Sequence, residues 1–180
     1  MAVIGDANGI AAVVRSDDET AQKLIAAAVA EWRAAGARVV GVIAEPHGLP
    51  DRTCGAGSLR DIASGKSWQI YLETAPSATT CHLDADGVQA ACRGILDQIA
   101  ESDLVVVSKF GKLEAARGGL MPAIEAAMEA GKPVLTTVSE RHREAWREFA
   151  PDAAEVVADP AAIRRWWQTA RKIPAAHVSV

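Results

Sequence analysis

The chain has 180 residues, 49% hydrophobic and 23% charged, with a formal net charge of −4. A chain of this length buries about 70% of the surface its unfolded form exposes, enough for one core. The acidic balance argues against a nucleic-acid partner, no apolar run approaches the ~20 residues of a membrane span, and no secretory signal opens the chain, so cytoplasm is the expected compartment.

Taken in order, residues 1–9 read as a ragged lead-in and Ile10 to Val14 as a short apolar strand. A helix is expected from Glu19 to about Ala35, with Ser16, Asp17 or Asp18 as its N-cap and Gly36 as its stop. Arg38 to Ile43 completes a βαβ unit. Glu45 to Gly57 is a Pro- and Gly-rich loop, and Leu59–Ala63 with Trp68–Glu73 reads as a β-hairpin around Ser64-Gly65. A second loop holds Cys81 and His82, and Asp84 or Asp86 caps a helix running to about Ala100. Leu104 to Val107 is the most buried strand; a charged, glycine-rich loop follows it, then a helix from Met121 to Ala130. Lys132–Val138, Glu140–Phe149, Glu155–Ala158 and Pro160–Lys172 read as strand, helix, strand and helix, and the tail from residue 173 as loose.

This alternation predicts a single α/β domain over residues 1–180, three-layered, with a mainly parallel five-stranded sheet and a hairpin inserted at about 58–73. Trp32, Trp146 and the pair Trp166-Trp167 are expected to pack helices. Trp68 lies on the hairpin and has two readings: a packing residue like the others, which is favoured, or an exposed contact for a protein partner or a second copy on a hairpin that projects as a flap.

Chemistry concentrates between Ser108 and Leu120. Lys109, Lys112 and Arg117 are interleaved with Gly111, Gly118 and Gly119 just beyond a strand, where parallel sheets bind ligands. Ammonium groups and backbone N–H donors there favour an anion directly, and glycines let the backbone approach it closely. Glu114 either pairs with one of the lysines or serves as an acid–base group. Thr136 and Thr137, ending the neighbouring strand, are candidate hydroxyl donors, and Arg141 follows. The set suits a tetrahedral oxyanion or one phosphate group; the competing view is a solvated charged loop. The Asp17-Asp18-Glu19 cluster is an acidic helix start complementing the macrodipole. Three cysteines form no CxxC pair: Cys92 falls in a helix core, while Cys54, Cys81 and His82 are weak metal candidates whose spacing fits no zinc template.

The segment SKFGKLE with the later GKPVLTTV resembles small P-loop nucleoside triphosphatases of the THEP type. A closer resemblance is to the bacterial family catalogued as domain of unknown function 2478, carried by Lys109 to Glu114, Gly118-Gly119, Cys54 and Cys81-His82-Leu83-Asp84. It spans about residues 10 to 158 and implies a P-loop-like fold. Genes of that family often neighbour those for molybdate transport, which implies a role in handling molybdate or tungstate, with a molybdenum-pathway protein as partner.

The departures are chemical. Where a P-loop needs G-x-x-x-x-G-K-[ST], the chain has Arg15-Ser16-Asp17-Asp18-Glu19-Thr20. Where Mg²⁺-holding acids are expected it has Ser108-Lys109. The expectation is a non-hydrolytic protein binding a small anion, with Lys109, Gly111, Lys112, Glu114, Arg117, Gly118, Gly119, Ser16, Thr136 and Thr137 as ligand contacts. The alternative is an enzyme acting on a nucleotide or phosphorylated cofactor, with Glu114 or His82 moving the proton and Lys109 stabilising charge.

Overall fold

The computed structural model describes residues 9–15, 17–49, 56–73 and 82–173. Seven strands form one sheet: β1 (Ile10–Arg15), β2 (Val39–Pro46), β3 (Ala56–Asp61), β4 (Ser67–Gln69), β5 (Leu104–Phe110), β6 (Val134–Ser139) and β7 (Ala154–Val157). Their order is β4-β3-β2-β5-β6-β1-β7. The expected five strands run parallel, and β3 and β4 add antiparallel to the edge of the same sheet.

Among the described residues six α-helices cover two faces: α1 (Asp18–Ala34), α2 (Ala85–Leu96), α3 (Lys112–Ala115), α4 (Met121–Glu129), α5 (Arg143–Phe149) and α6 (Pro160–Ala170). On one face Ile25, Val29 and Trp32 of α1 and Ile163, Trp166 and Trp167 of α6 pack on Val13, Val106 and Leu135. On the other, Cys92 and Ile95 of α2, Ile124 of α4 and Trp146 of α5 pack on Ala12, Val105 and Val107. The chain crosses from β1 towards the β4 edge over the first face and from β5 towards the β7 edge over the second. Right-handed crossovers in opposite directions require opposite faces. The result is a three-layer α/β fold of P-loop-like layout.

Local chemistry explains the boundaries. Asp17 caps α1, its carboxylate accepting from Glu19 N and Thr20 N at 3.1 Å each. Asp84 caps α2 and Asp159 caps α6 in the same way. Gly41 has φ +117°, and a methyl group there would overlap the Val106 backbone, so glycine is what lets β2 lie against β5.

The structure decides one alternative and corrects four expectations. The hairpin is no projecting flap: Leu59 pairs with Trp68 in the sheet, and the Trp68 ring packs against Gly94 of α2. Buried Asp61 closes the hairpin turn, accepting from Ser64 N at 2.7 Å and from Gln98 Nε2 at 2.6 Å. The strand before the glycine-rich loop runs on to Phe110, so Lys109 lies on a strand rather than in a loop. What reads as loop beyond it contains the short helix α3. The helix expected from Glu140 begins as a 3-10 turn over Glu140–His142, and α2 ends at Leu96 rather than near Ala100.

Candidate functional site

The end of β5 is the centre of the site, and its aim comes from a slip in register. Val107 pairs with Thr136, but Phe110 pairs with Val138, so β5 holds one residue more than β6 over this stretch. An extra residue reverses which side chains face which layer. Phe110, 1% exposed, therefore packs with Val105 and Val107 on the second face, its ring 5.3 Å from Trp146 and 6.1 Å from Phe149. Lys109, half-buried, lines a cavity on the side of α1.

β2 pairs with β5 from Val39 and Leu104 to Gly41 and Val106, and beyond that pairing lies a cavity lined by Ile43, Ala44 and Lys109. Gln22 of α1 bridges the two strands there: its Nε2 donates to the Ser108 carbonyl at 2.7 Å and its Oε1 accepts from Ala44 N at 3.4 Å. Thr137 Oγ1 donates to the same Ser108 carbonyl at 3.0 Å, and Thr136 Oγ1 donates to the Thr137 carbonyl at 3.4 Å. Both threonines are fully buried, and their hydroxyls serve the backbone.

Basic groups from three strand ends gather here. Arg15 ends β1 and is 7% exposed, Lys109 lies near the end of β5, and Arg141 and His142 follow β6. His142 Nδ1 lies 3.2 Å from Ser139 Oγ. Desolvation, then the positive charges of Arg141, Lys109 and Arg15, hold the His142 imidazole below its ordinary pKa. Arg15 is paired in register with Ser139, three residues before His142, so the ends of β1 and β6 lie side by side here. The pKa of Asp17, the N-cap of α1, is lowered chiefly by hydrogen bonding to Thr20, with the Arg15 charge adding a smaller effect.

The loop after β5 is held by Glu114. It is 5% exposed, and its two carboxylate oxygens accept from Gly111 N at 3.1 Å and Leu120 N at 2.9 Å. Burial raises its pKa, with the backbone donors and Lys109 opposing. Glu114 is therefore a clamp on the backbone, not the partner of a surface lysine. Lys112 is exposed on α3. Arg117, in the left-handed region at φ 66°, pairs with Glu125 at 2.7 Å and lies over the Phe149 ring at 5.3 Å. Gly118 and Gly119 carry the chain from α3 into α4.

Of the expected contacts, the structure brings Lys109 to the cavity, uses Gly111, Glu114 and Gly119 to shape the loop, and turns Arg117 towards α4 and α5. Ser16, Cys54 and Cys81 lie outside the described residues. His82 stacks on Tyr71 with 5.6 Å between centroids, and His47 lies on the same tyrosine at 4.7 Å. Among the described residues no group of three or more His, Cys, Asp and Glu side chains could hold a metal ion, and no helix is long and apolar enough to cross a membrane. Sequence reading missed His142, Ser139 and Gln22 as parts of the site and noted Arg15 only as a departure from a P-loop. The available signal was the basic run Arg141-His142-Arg143 directly after a strand.

The family described as "Protein of unknown function (DUF2478)" matches residues 10–166. The Molybdenum import ATP-binding protein ModC 2 of Bradyrhizobium diazoefficiens is 31% identical over 167 residues, covering 91% of this chain. The chain spans 18% of the length of that relative. No solved structure gives a significant match.

Proposed function

The chain belongs to the DUF2478 family, and we propose that it is a non-hydrolytic oxyanion-binding protein built on a degenerate P-loop-like fold. The observation that carries this reading is the placement of Arg15, Lys109 and Arg141 at or just beyond the ends of three adjacent strands, with Arg15 paired in register with Ser139 and His142 following on the same segment. Clustered cations in a crevice attract a tetrahedral anion without a bridging metal. The start of α1, where a P-loop would cradle phosphates, is instead capped by the chain's own Asp17 carboxylate. That negative charge opposes a polyphosphate there. Likeness to a protein named for molybdenum import supports molybdate or tungstate as the oxyanion and a molybdenum-pathway protein as partner.

The enzyme reading needs an available acid–base group. Both Glu114 oxygens already accept backbone N–H bonds, so they are poorly suited to taking a substrate proton. Equilibrium dialysis with molybdate, tungstate, sulfate and phosphate, in EDTA, tests the proposal. It predicts retention of at least one oxyanion by the wild type and its loss in Lys109→Ala. No retention, or retention unchanged in the variant, would overturn it.

A further inference from the structure

We infer that the cavity beside Lys109 receives the apolar body of a second class of ligand, a compact organic phosphate, which shares the corner with the inorganic oxyanion and binds more tightly than inorganic phosphate does. This rests on the oxyanion-binding reading above and extends it to ligand class.

The cavity has a volume of about 220 Å³ and lies between α1, the end of β2 and the start of β3. Its floor is Ala26, Ile43, Ala44, Pro46 and Ala56. Three of those five are alanines, and the space exists because no larger side chain fills it. The rim charges meet one another: Lys23 pairs with Glu19 and Arg60 pairs with Glu45, each at 2.6 Å. An apolar floor with opposed charges neutralised around it suits an uncharged hydrocarbon or ring.

Lys109 reaches the same rim from β5 and also acts on His142. One lysine therefore joins the basic corner to the apolar cavity. A ligand with its anionic group at the corner would extend any organic substituent past Lys109 and over Ala44. An inorganic oxyanion would leave that apolar surface to water. The volume falls below the roughly 300 Å³ at which drug-sized pockets begin, which suits a single ring or short branched chain.

Isothermal titration calorimetry with inorganic phosphate and phenyl phosphate tests the inference, because the two probes share an anionic group and differ by one ring. Phenyl phosphate is expected to bind the wild type about tenfold tighter or more, from apolar area removed from water. Ala26→Phe and Ala56→Phe fill the cavity from opposite walls. Each is expected to bring phenyl phosphate back to the affinity of inorganic phosphate, which itself stays unchanged. Circular dichroism identifies which of the two variants is folded, and either suffices. Equal affinities in the wild type, or an advantage that survives a filled cavity, overturn this inference and leave the oxyanion reading standing. Failure of both probes to bind the wild type overturns both.

Discussion

The Glu114 carboxylate passes so close to the α-carbon of Gly119 that a methyl group at 119 would overlap its Oε1. Gly119 also sits at φ +61°, where a side chain is strained. The two residues form one device: a buried acid reaches Gly111 N and Leu120 N only because glycine leaves the path open. Gly119→Ala is expected to lower stability by about 1–3 kcal/mol, and Glu114→Ala by about 2–4 kcal/mol through two orphaned buried donors. Urea denaturation measures both. Wild-type stability in Gly119→Ala would refute the clamp.

The same burial has a pH signature. Because the folded-state pKa of Glu114 is raised, its contribution to stability is fully present below the ordinary glutamate value of 4.5 and declines as pH rises through the folded value. Glu114→Gln removes that decline, so its stability profile above pH 4.5 should be flatter than the wild type's. Thermal melts across the range check the slope.

Glu155 titrates the opposite way. Hydrogen bonds from Arg143 and then Arg147 lower its pKa from 4.5 to about 2. The distances are 2.7 Å from Arg143 Nη2 and 2.7 Å from Arg147 Nε, joining β7 to α5 behind the basic corner. Its stabilisation is present above pH 4.5 and is lost as pH falls towards 2. The cluster is partly exposed, so Glu155→Gln is expected to lower stability at neutral pH by only about 1 kcal/mol after solvent screening. Acid titration of the variant should lack this component.

With ATP and Mg²⁺, phosphate release is expected to stay at the level of a buffer control. The first turn of α1 is occupied by Asp17, and β5 presents Ser108 and Lys109 where Mg²⁺-holding acids would be needed. Mg²⁺-dependent turnover abolished in Glu114→Gln would favour the enzyme instead.

The fold was largely legible because the strands and helices obey simple patterns. Apolar runs such as Leu104–Val107 mark buried strands, and Asp17, Asp84 and Gly36 mark helix ends. Strand order is not local information, so the attachment of the hairpin to β2 could not be read from its own residues. The slip between Val107 and Phe110 also leaves no residue signature, yet it decides that Phe110 meets Trp146 while Lys109 turns towards α1. Thr136 and Thr137 look like ligand donors in a linear reading; burial commits their hydroxyls to carbonyls. His142 was missed because its neighbours Arg15 and Lys109 come from distant strands.

The oxyanion of the proposed function occupies the corner shared by Arg15, Lys109, Arg141 and His142. NMR titration of the His142 ring, with and without saturating sulfate, tests it most directly because sulfate stays dianionic throughout the range. Burial, and then the charges of Arg141, Lys109 and Arg15, hold the imidazole below its ordinary pKa, so a bound dianion should raise it, and Lys109→Ala should raise the sulfate-free value and weaken the response to sulfate. A His142 titration that ignores sulfate in the wild type would contradict the account.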